Sequence, residues 1–392
     1  MIKLIINAYK NNMNIYIYIM PNNDEDPQKQ FDNIINLYLD NVTNSMDGES
    51  ELEVRFGTRG IKPITKMDYD NIIQTLVSSN FEMTNSNAYS LKMQSEFVDK
   101  NTGKTRPSNV RVEINGQHDV QKYCNTNSLK ETTASFIQKK NASVNGANVF
   151  PVNVDDFNFR VSYQKERAIA SYSPFAESIK SSWQDSKKTF RYINRVSFIH
   201  PTIPVRVDLS IVKESHKEKY RMKPEYTFQG AEVTSSPEKY EIELEVLNSK
   251  IGVGTEYNNG KKLGKELRKA IKVILSGLQR TKYPISYKEI ANVGVEYLQL
   301  VHGKKYYDKM KMDPKNFMGP SSYTLQIQNI APINEDSTMP NIRNNYTVTE
   351  KADGMRKLMY TNSKGRIYLI DTNMNVQFTG AVTDNVDCYN TI

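Results

Sequence analysis

The sequence predicts an α+β fold in which a closed antiparallel β-barrel is flanked by packing helices. Three observations predict it. Six short runs between Glu51 and Val246 alternate apolar with polar residues, the period of a strand. The polar members are not the mixed set of an ordinary solvated sheet face: they are glutamate in two runs and mainly arginine in several others. Two further segments, 31–39 and 264–278, space their apolar residues as helices do.

Residues 1–30 read as an N-terminal extension, a short Ile/Tyr run followed by the turn-rich acidic linker PNNDEDPQ. FDNIINLYL then places Phe31, Ile34, Ile35 and Tyr38 on one helical face. The alternating runs follow. In ELEVRF, Glu51, Glu53 and Arg55 oppose Leu52, Val54 and Phe56; in NVRVEI, Arg111 and Glu113 oppose Val110, Val112 and Ile114. FNFRVSYQKE puts Arg160, Ser162, Gln164 and Glu166 on one side, and RYINRVSF groups Arg191, Arg195 and Ser197 with Ile193. VRVDLSIV aligns Arg206, Asp208 and Ser210. YEIELEV aligns Glu241, Glu243 and Glu245 against Ile242, Leu244 and Val246. Residues 141–148 and 171–180 read as loops. Leu267, Ile271, Ile274 and Leu278 line one face of a helix whose remainder is basic. Residues 291–320 form a connector, basic from 301 onward, and a second β-rich segment runs over 321–392, so that the barrel domain spans 31–290.

Composition bounds the partners. The 392 residues carry 52 Lys+Arg against 44 Asp+Glu, a net charge of +8 that favours acidic partners without specifying one. Cys124 and Cys388 stand far apart and His118, His200, His216 and His302 are scattered, which argues against a disulfide framework and a zinc site. The apolar run at 14–20 is too short to span a bilayer. The chain therefore reads as soluble and intracellular, with no membrane partner.

Successive glutamates on one strand face stand roughly 6.5–7 Å apart. Two explanations compete for the charged faces. For one strand, a solvated outer face is the simpler; for six together, a barrel that turns its apolar faces onto helices and its charged faces into a polar lumen fits better. Carboxylates converging in a lumen repel unless they share protons or a cation. An oxygen-only set suits Mg²⁺ or Mn²⁺ rather than zinc. The arginines of these faces, Arg111, Arg160, Arg191, Arg195 and Arg206, suit bidentate binding of phosphate oxygens.

ELEVRFG and YEIELEV together resemble the two glutamate-rich strands of the triphosphate tunnel metalloenzymes, and more closely the RNA triphosphatase domains of fungal and large-DNA-virus mRNA capping enzymes. The resemblance spans roughly 31–290. It implies a metal site drawn from Glu51, Glu53, Glu241, Glu243 and Glu245, with Glu51, Glu53 and Glu245 as direct ligands. It implies also that Arg111, Arg195 and Arg206 grip phosphate, that Glu166 positions or activates the attacking water, and that Asp208 orients neighbouring basic groups. The family's lysine two positions before the arginine matching Arg195 is here Ile193, with Arg191 or Lys188 as candidate substitutes. The implied activity is metal-dependent removal of the γ-phosphate from 5′-triphosphate RNA. Hydrolysis of free NTP or inorganic polyphosphate, and phosphate or RNA binding without catalysis, remain as alternatives.

A second signal lies in TEKADGMRKLMY, 349–360. A bare K-x-D-G is weak, and Asp353-Gly354 is a common turn pair, but YTVT before it, KLMY after it and then RIYLID read as strands. The stretch resembles the nucleotidyl-transfer motif of mRNA guanylyltransferases and ATP-dependent ligases. That resemblance implies Lys351 as the nucleophile toward GTP, Asp353, Gly354 and Arg356 as nucleotide contacts, and 321–392 as the start of a guanylyltransferase domain. The family's later motifs and its methyltransferase region do not follow in this sequence, so completion by further capping-enzyme domains is expected. A viral chain of this kind is expected in host cytoplasm or the virion.

Overall fold

The computed structural model describes residues 26–42, 48–58, 60, 62–99, 102–303, 312–319, 324–333, 339–348, 350 and 353–392. Most of the expected extension lies outside them. The chain divides into two compact units at Leu278/Gln279, earlier than the boundary expected near 290.

In the first unit the order is α1 (Pro27–Asn41), β1 (Glu49–Phe56), α2 (Lys66–Ser78), β2 (Glu82–Val98), β3 (Val110–Asn115), α3 (Gln117–Thr126), β4 (Ala134–Asn141), β5 (Phe159–Ile169), α4 (Pro174–Ser181), β6 (Lys188–Ile199), β7 (Val205–Glu214), β8 (Lys239–Val246) and α5 (Gly260–Gln279). Asp26 caps α1 ahead of Pro27, and Thr65 with Asp68 forms a capping box on α2, so both helices start where side-chain acceptors meet otherwise unpaired N–H groups. Around the barrel the neighbours are β1, β8, β7, β6, β2, β3, β4, β5 and β1 again. All are antiparallel, a closed eight-stranded ring with no free edge.

Alternation decides which way each face turns. Leu52, Val54, Leu209, Ile242 and Leu244 point outward and pack under α1, α2 and α5 through Ile35, Tyr38, Ile72, Leu267 and Ile274. On the other flank Leu91, Met93, Val112 and Phe190 meet Val120 and Tyr123 of α3, Ala176 of α4 and Trp183. A one-residue slip of β8 would turn Ile242, Leu244 and Val246 into the charged lumen, at about 1.5–3 kcal/mol for each. It would also drive three glutamates into the apolar shell, so the register is strongly specified.

Three expectations change. Residues 171–180, read as a loop, hold most of α4, because Ser173 accepts from the Ala176 N–H and Pro174 stands in the first turn. Residues 141–148 make a small hairpin, Ser143–Val144 paired with Ala147–Asn148, around the left-handed Asn145 and Gly146. Strands β2 and β4 escaped notice because polar residues dominate both.

The second unit packs Val293, Tyr297 and Leu298 of α6 (Tyr287–His302) against Tyr360, Tyr368, Ile370 and Val376 of a three-stranded antiparallel sheet. Its strands are β9 (Lys357–Thr361), β10 (Arg366–Asp371) and β11 (Val376–Val382). Helix α6 thus takes the first part of the expected connector. KLMY and RIYLID lie in strands, whereas 346–348 do not. Among the described residues no helix is long and apolar enough to cross a membrane.

Candidate functional site

The inward faces of the eight strands enclose a cavity of about 310 Å³. Glutamates of β1, β3, β5 and β8 line it together with Arg55, Lys92, Arg111, Lys139, Arg191, Arg195 and Arg206, and only Ile137 and Ile193 are apolar. Charges at this density persist because most of them meet an opposite charge on the same strand or on a nearby one.

Strand pairing explains the partners. Arg55 stands opposite Glu243 between β1 and β8, and Asp208 opposite Glu243 between β7 and β8. Glu243 accepts from Arg55 and, at 3.1 Å, from Arg195. Burial alone would raise its pKa; the two guanidiniums overcome that and hold it at about 2. Glu241 accepts from Arg191 at 2.5 Å. Asp208, almost wholly buried, accepts from Arg195 Nη1 at 2.9 Å, from Arg206 Nε at 3.1 Å and from the Ser197 hydroxyl at 2.6 Å. One carboxylate therefore fixes the aim of two guanidiniums.

Glu53 lies directly opposite Glu245 in the β1–β8 register, with Glu51 two residues along the same face. Lys139 Nζ sits between Glu51 at 2.6 Å and Glu53 at 3.4 Å. Burial raises the pKa of Glu53 against the pull of Arg55 and Lys139. Glu245 meets Arg206 at 2.5 Å, yet burial, with the charges of Glu51 and Asp208, pushes it up to about 7. Glu166 bonds Arg111 at 3.1 Å, and its pKa is raised by burial and by Glu51.

Glu51, Glu53 and Glu245 form an all-oxygen donor set in which burial resists the ionisation of Glu53 and Glu245, and whose charge is partly balanced by Lys139, Arg55 and Arg206. That chemistry fits a hard divalent cation. Among the described residues no three Asp, Glu, His or Cys side chains are gathered as a ready-made cage; the carboxylates instead meet arginine and lysine partners.

Two expected phosphate contacts lie elsewhere. Arg160 shares a strand with Glu166 but sits at the start of β5, outside the cavity wall, where its Nε donates to Asn153 at 3.0 Å. Lys188 faces outward: its Nζ donates to the carbonyls of Trp183 and Ser186, each at 2.6 Å, and it stands over the Trp183 ring. It cannot replace a lysine at Ile193, which is buried in the tunnel wall. Two tunnel cations went unnoticed in the sequence, Lys139 and Lys92. Lys92 pairs in register with Arg191 on one side and Glu113 on the other. Burial depresses its pKa and Glu113, at 3.5 Å, opposes that; Arg111 and Arg195 depress it further. The signal was its position between buried Leu91 and Met93 in an otherwise polar run. In the second unit Lys351 lies outside the described residues; Asp353 and Gly354 are exposed, and Arg356 stands over the Phe317 ring at 5.2 Å.

No family model matches the chain. Over 141 residues, 36% of the chain, it is 31% identical to a protein of Acanthamoeba polyphaga mimivirus named "Probable mRNA-capping enzyme"; the match spans about a tenth (10%) of that relative's length. Among solved structures, the Mimivirus capping enzyme triphosphatase superposes with a TM-score of 0.40 at 16% identity, covering 63% of this chain and 95% of that one. The S. pombe Pct1 RNA triphosphatase gives 0.36 at 12% identity, covering 67% and 98%.

Proposed function

We propose that the tunnel is an RNA 5′-triphosphatase acting in mRNA cap formation. The observation that carries this reading is the enclosed lumen, in which arginines already aimed by carboxylates share one cavity with a carboxylate set short of positive charge. The local 31% identity to a probable capping enzyme supports the choice of RNA as substrate.

On this reading Arg111, Arg195 and Arg206 receive the phosphate oxygens, and Arg191 and Lys92 extend the basic wall. Asp208 keeps Arg195 and Arg206 in place, so little reorganisation accompanies the transfer of charge. Glu166, a carboxyl with a raised pKa beside Arg111, orients the attacking water and accepts its proton. Glu51, Glu53 and Glu245 would hold Mg²⁺ or Mn²⁺, with Glu241 and Glu243 keeping the basic wall in register. When bound, the ion supplies charge neutralisation at the phosphate. The segment 349–360, on the same reading, begins a guanylyltransferase that takes GTP at Lys351, working with further capping-enzyme domains or a methyltransferase.

The test is γ-phosphate release from triphosphate-ended RNA with Mg²⁺ or Mn²⁺, comparing the unaltered chain with Glu243→Ala and Glu245→Ala. We expect metal-dependent release that falls about 10²–10³-fold in each variant. GTP competition in the same reactions ranks RNA against free nucleotide. Triphosphate RNA bound without release at any metal concentration would overturn the hydrolase reading in favour of a binding module.

A further inference from the structure

Beyond Glu214 the chain leaves β7 and forms a small hairpin, with Lys217–Glu218 paired to Arg221–Met222. The cavity wall leads directly to it. Arg191, which lines the tunnel, donates to Glu214 at 3.2 Å, and Lys217 stands 3.9 Å from the same carboxylate. Because Glu218 lies opposite Arg221, the loop is two residues long, Lys219-Tyr220, and both carry positive φ, 48° and 70°. Such a loop ordinarily takes Asn-Gly, since bulky side chains are strained there. Here it projects a lysine and a tyrosine that is 97% exposed. The segment 213–223 carries five Lys/Arg against two Glu. Lys223 pairs with Glu225 at 2.9 Å, while Lys219 and Arg221 meet no carboxylate within ion-pair distance among the described residues. Strained backbone held at an exposed tip is characteristic of ligand clamps.

The geometry points to the Lys219-Tyr220 hairpin as a clamp for single-stranded RNA at the Arg191 end of the tunnel. Tyr220 offers a flat face on which a base stacks, and Lys219 and Arg221 flank it with charge for the phosphates on either side. Base stacking uses the open ring face and the flanking charges together, which favours a single strand over a membrane surface or an acidic peptide. The inference rests on the triphosphatase reading for what enters the tunnel. It adds a physical reason for RNA rather than free nucleotide: a nucleoside triphosphate ends inside the cavity and leaves the tip untouched.

The test replaces the tip with the turn the backbone prefers, Lys219→Asn with Tyr220→Gly, which keeps or improves hairpin stability. Binding of a fluorescent 5′-triphosphate 20-mer RNA is measured by anisotropy across a salt series, alongside GTP competition and thermal melting. We expect RNA to bind about tenfold more weakly, with the salt slope reduced by about 0.7 for one lost cation, and GTP affinity and melting unchanged. Unchanged RNA affinity, or equal loss for RNA and GTP, would overturn the clamp. If the unaltered chain releases no phosphate but its RNA binding still depends on the tip, the hydrolase reading falls and the clamp stands.

Discussion

The fold resists the ionisation of Glu245, and Glu245→Gln measures how much. Burial, Glu51 and Asp208 together outweigh Arg206 and place its pKa at about 7, against an ordinary 4.5. In the unfolded chain the proton leaves near 4.5; in the folded chain it is kept until about 7. The folded state therefore has its full share of stability below pH 4.5 and loses it as pH rises through 7, by about 3 kcal/mol at pH 8. Glutamine has no proton to lose. In chelator, urea unfolding from pH 4 to 8 should show the unaltered chain weakening relative to Glu245→Gln by about 3 kcal/mol, with a constant difference below pH 4.5. Millimolar Mg²⁺ should restore the unaltered chain at pH 8 and leave the variant unmoved, since the ion favours the ionised carboxylate. A difference that stays flat with pH would mean that Arg206 cancels the burial of Glu245, and an unaltered chain that gains on the variant as pH rises would mean that Arg206 outweighs it. The account of a lumen short of positive charge would then be wrong.

Three further outcomes follow from the same geometry. Lys92→Met removes a half-buried tunnel cation while keeping the stem, so KM for triphosphate RNA should rise about 10–100-fold, the worth of one charge-assisted hydrogen bond. Adding Ile193→Lys to that variant should recover part of the loss in the same steady-state assay. Lys188→Met should leave γ-phosphate release unchanged but lower stability in urea by about 1–3 kcal/mol, because the Trp183 and Ser186 carbonyls lose their donor.

Much of this was readable in sequence for a physical reason. Strand alternation is local, so ELEVRF and YEIELEV by themselves determine that three glutamates share a face on one strand and two on another, and that the opposite faces are apolar. The amphipathic stripe of Leu267, Ile271 and Ile274 is likewise local and lies within α5, which runs a few residues further at the N-terminal end than the stripe indicated. Polar strands hide their period: β2 and β4 carry Lys92 and Lys139 into the tunnel, yet both runs look like solvated chain. Arg160 shows the converse, a residue on the right face at the wrong height along the barrel, which only strand length and stagger decide.

Glu243 and Glu245 draw the line between the two kinds of knowledge. The sequence determines that they point the same way, two residues apart on one strand. Tertiary structure decides that they are chemically unlike. Barrel closure places Glu243 between Arg55 and Arg195 and holds its pKa at about 2, while Glu245, buried beside Glu51 with Arg206 as its ion-pair partner, rises to about 7. Charge interactions depend on distance and dielectric across strands far apart in the chain, and no local pattern carries that information.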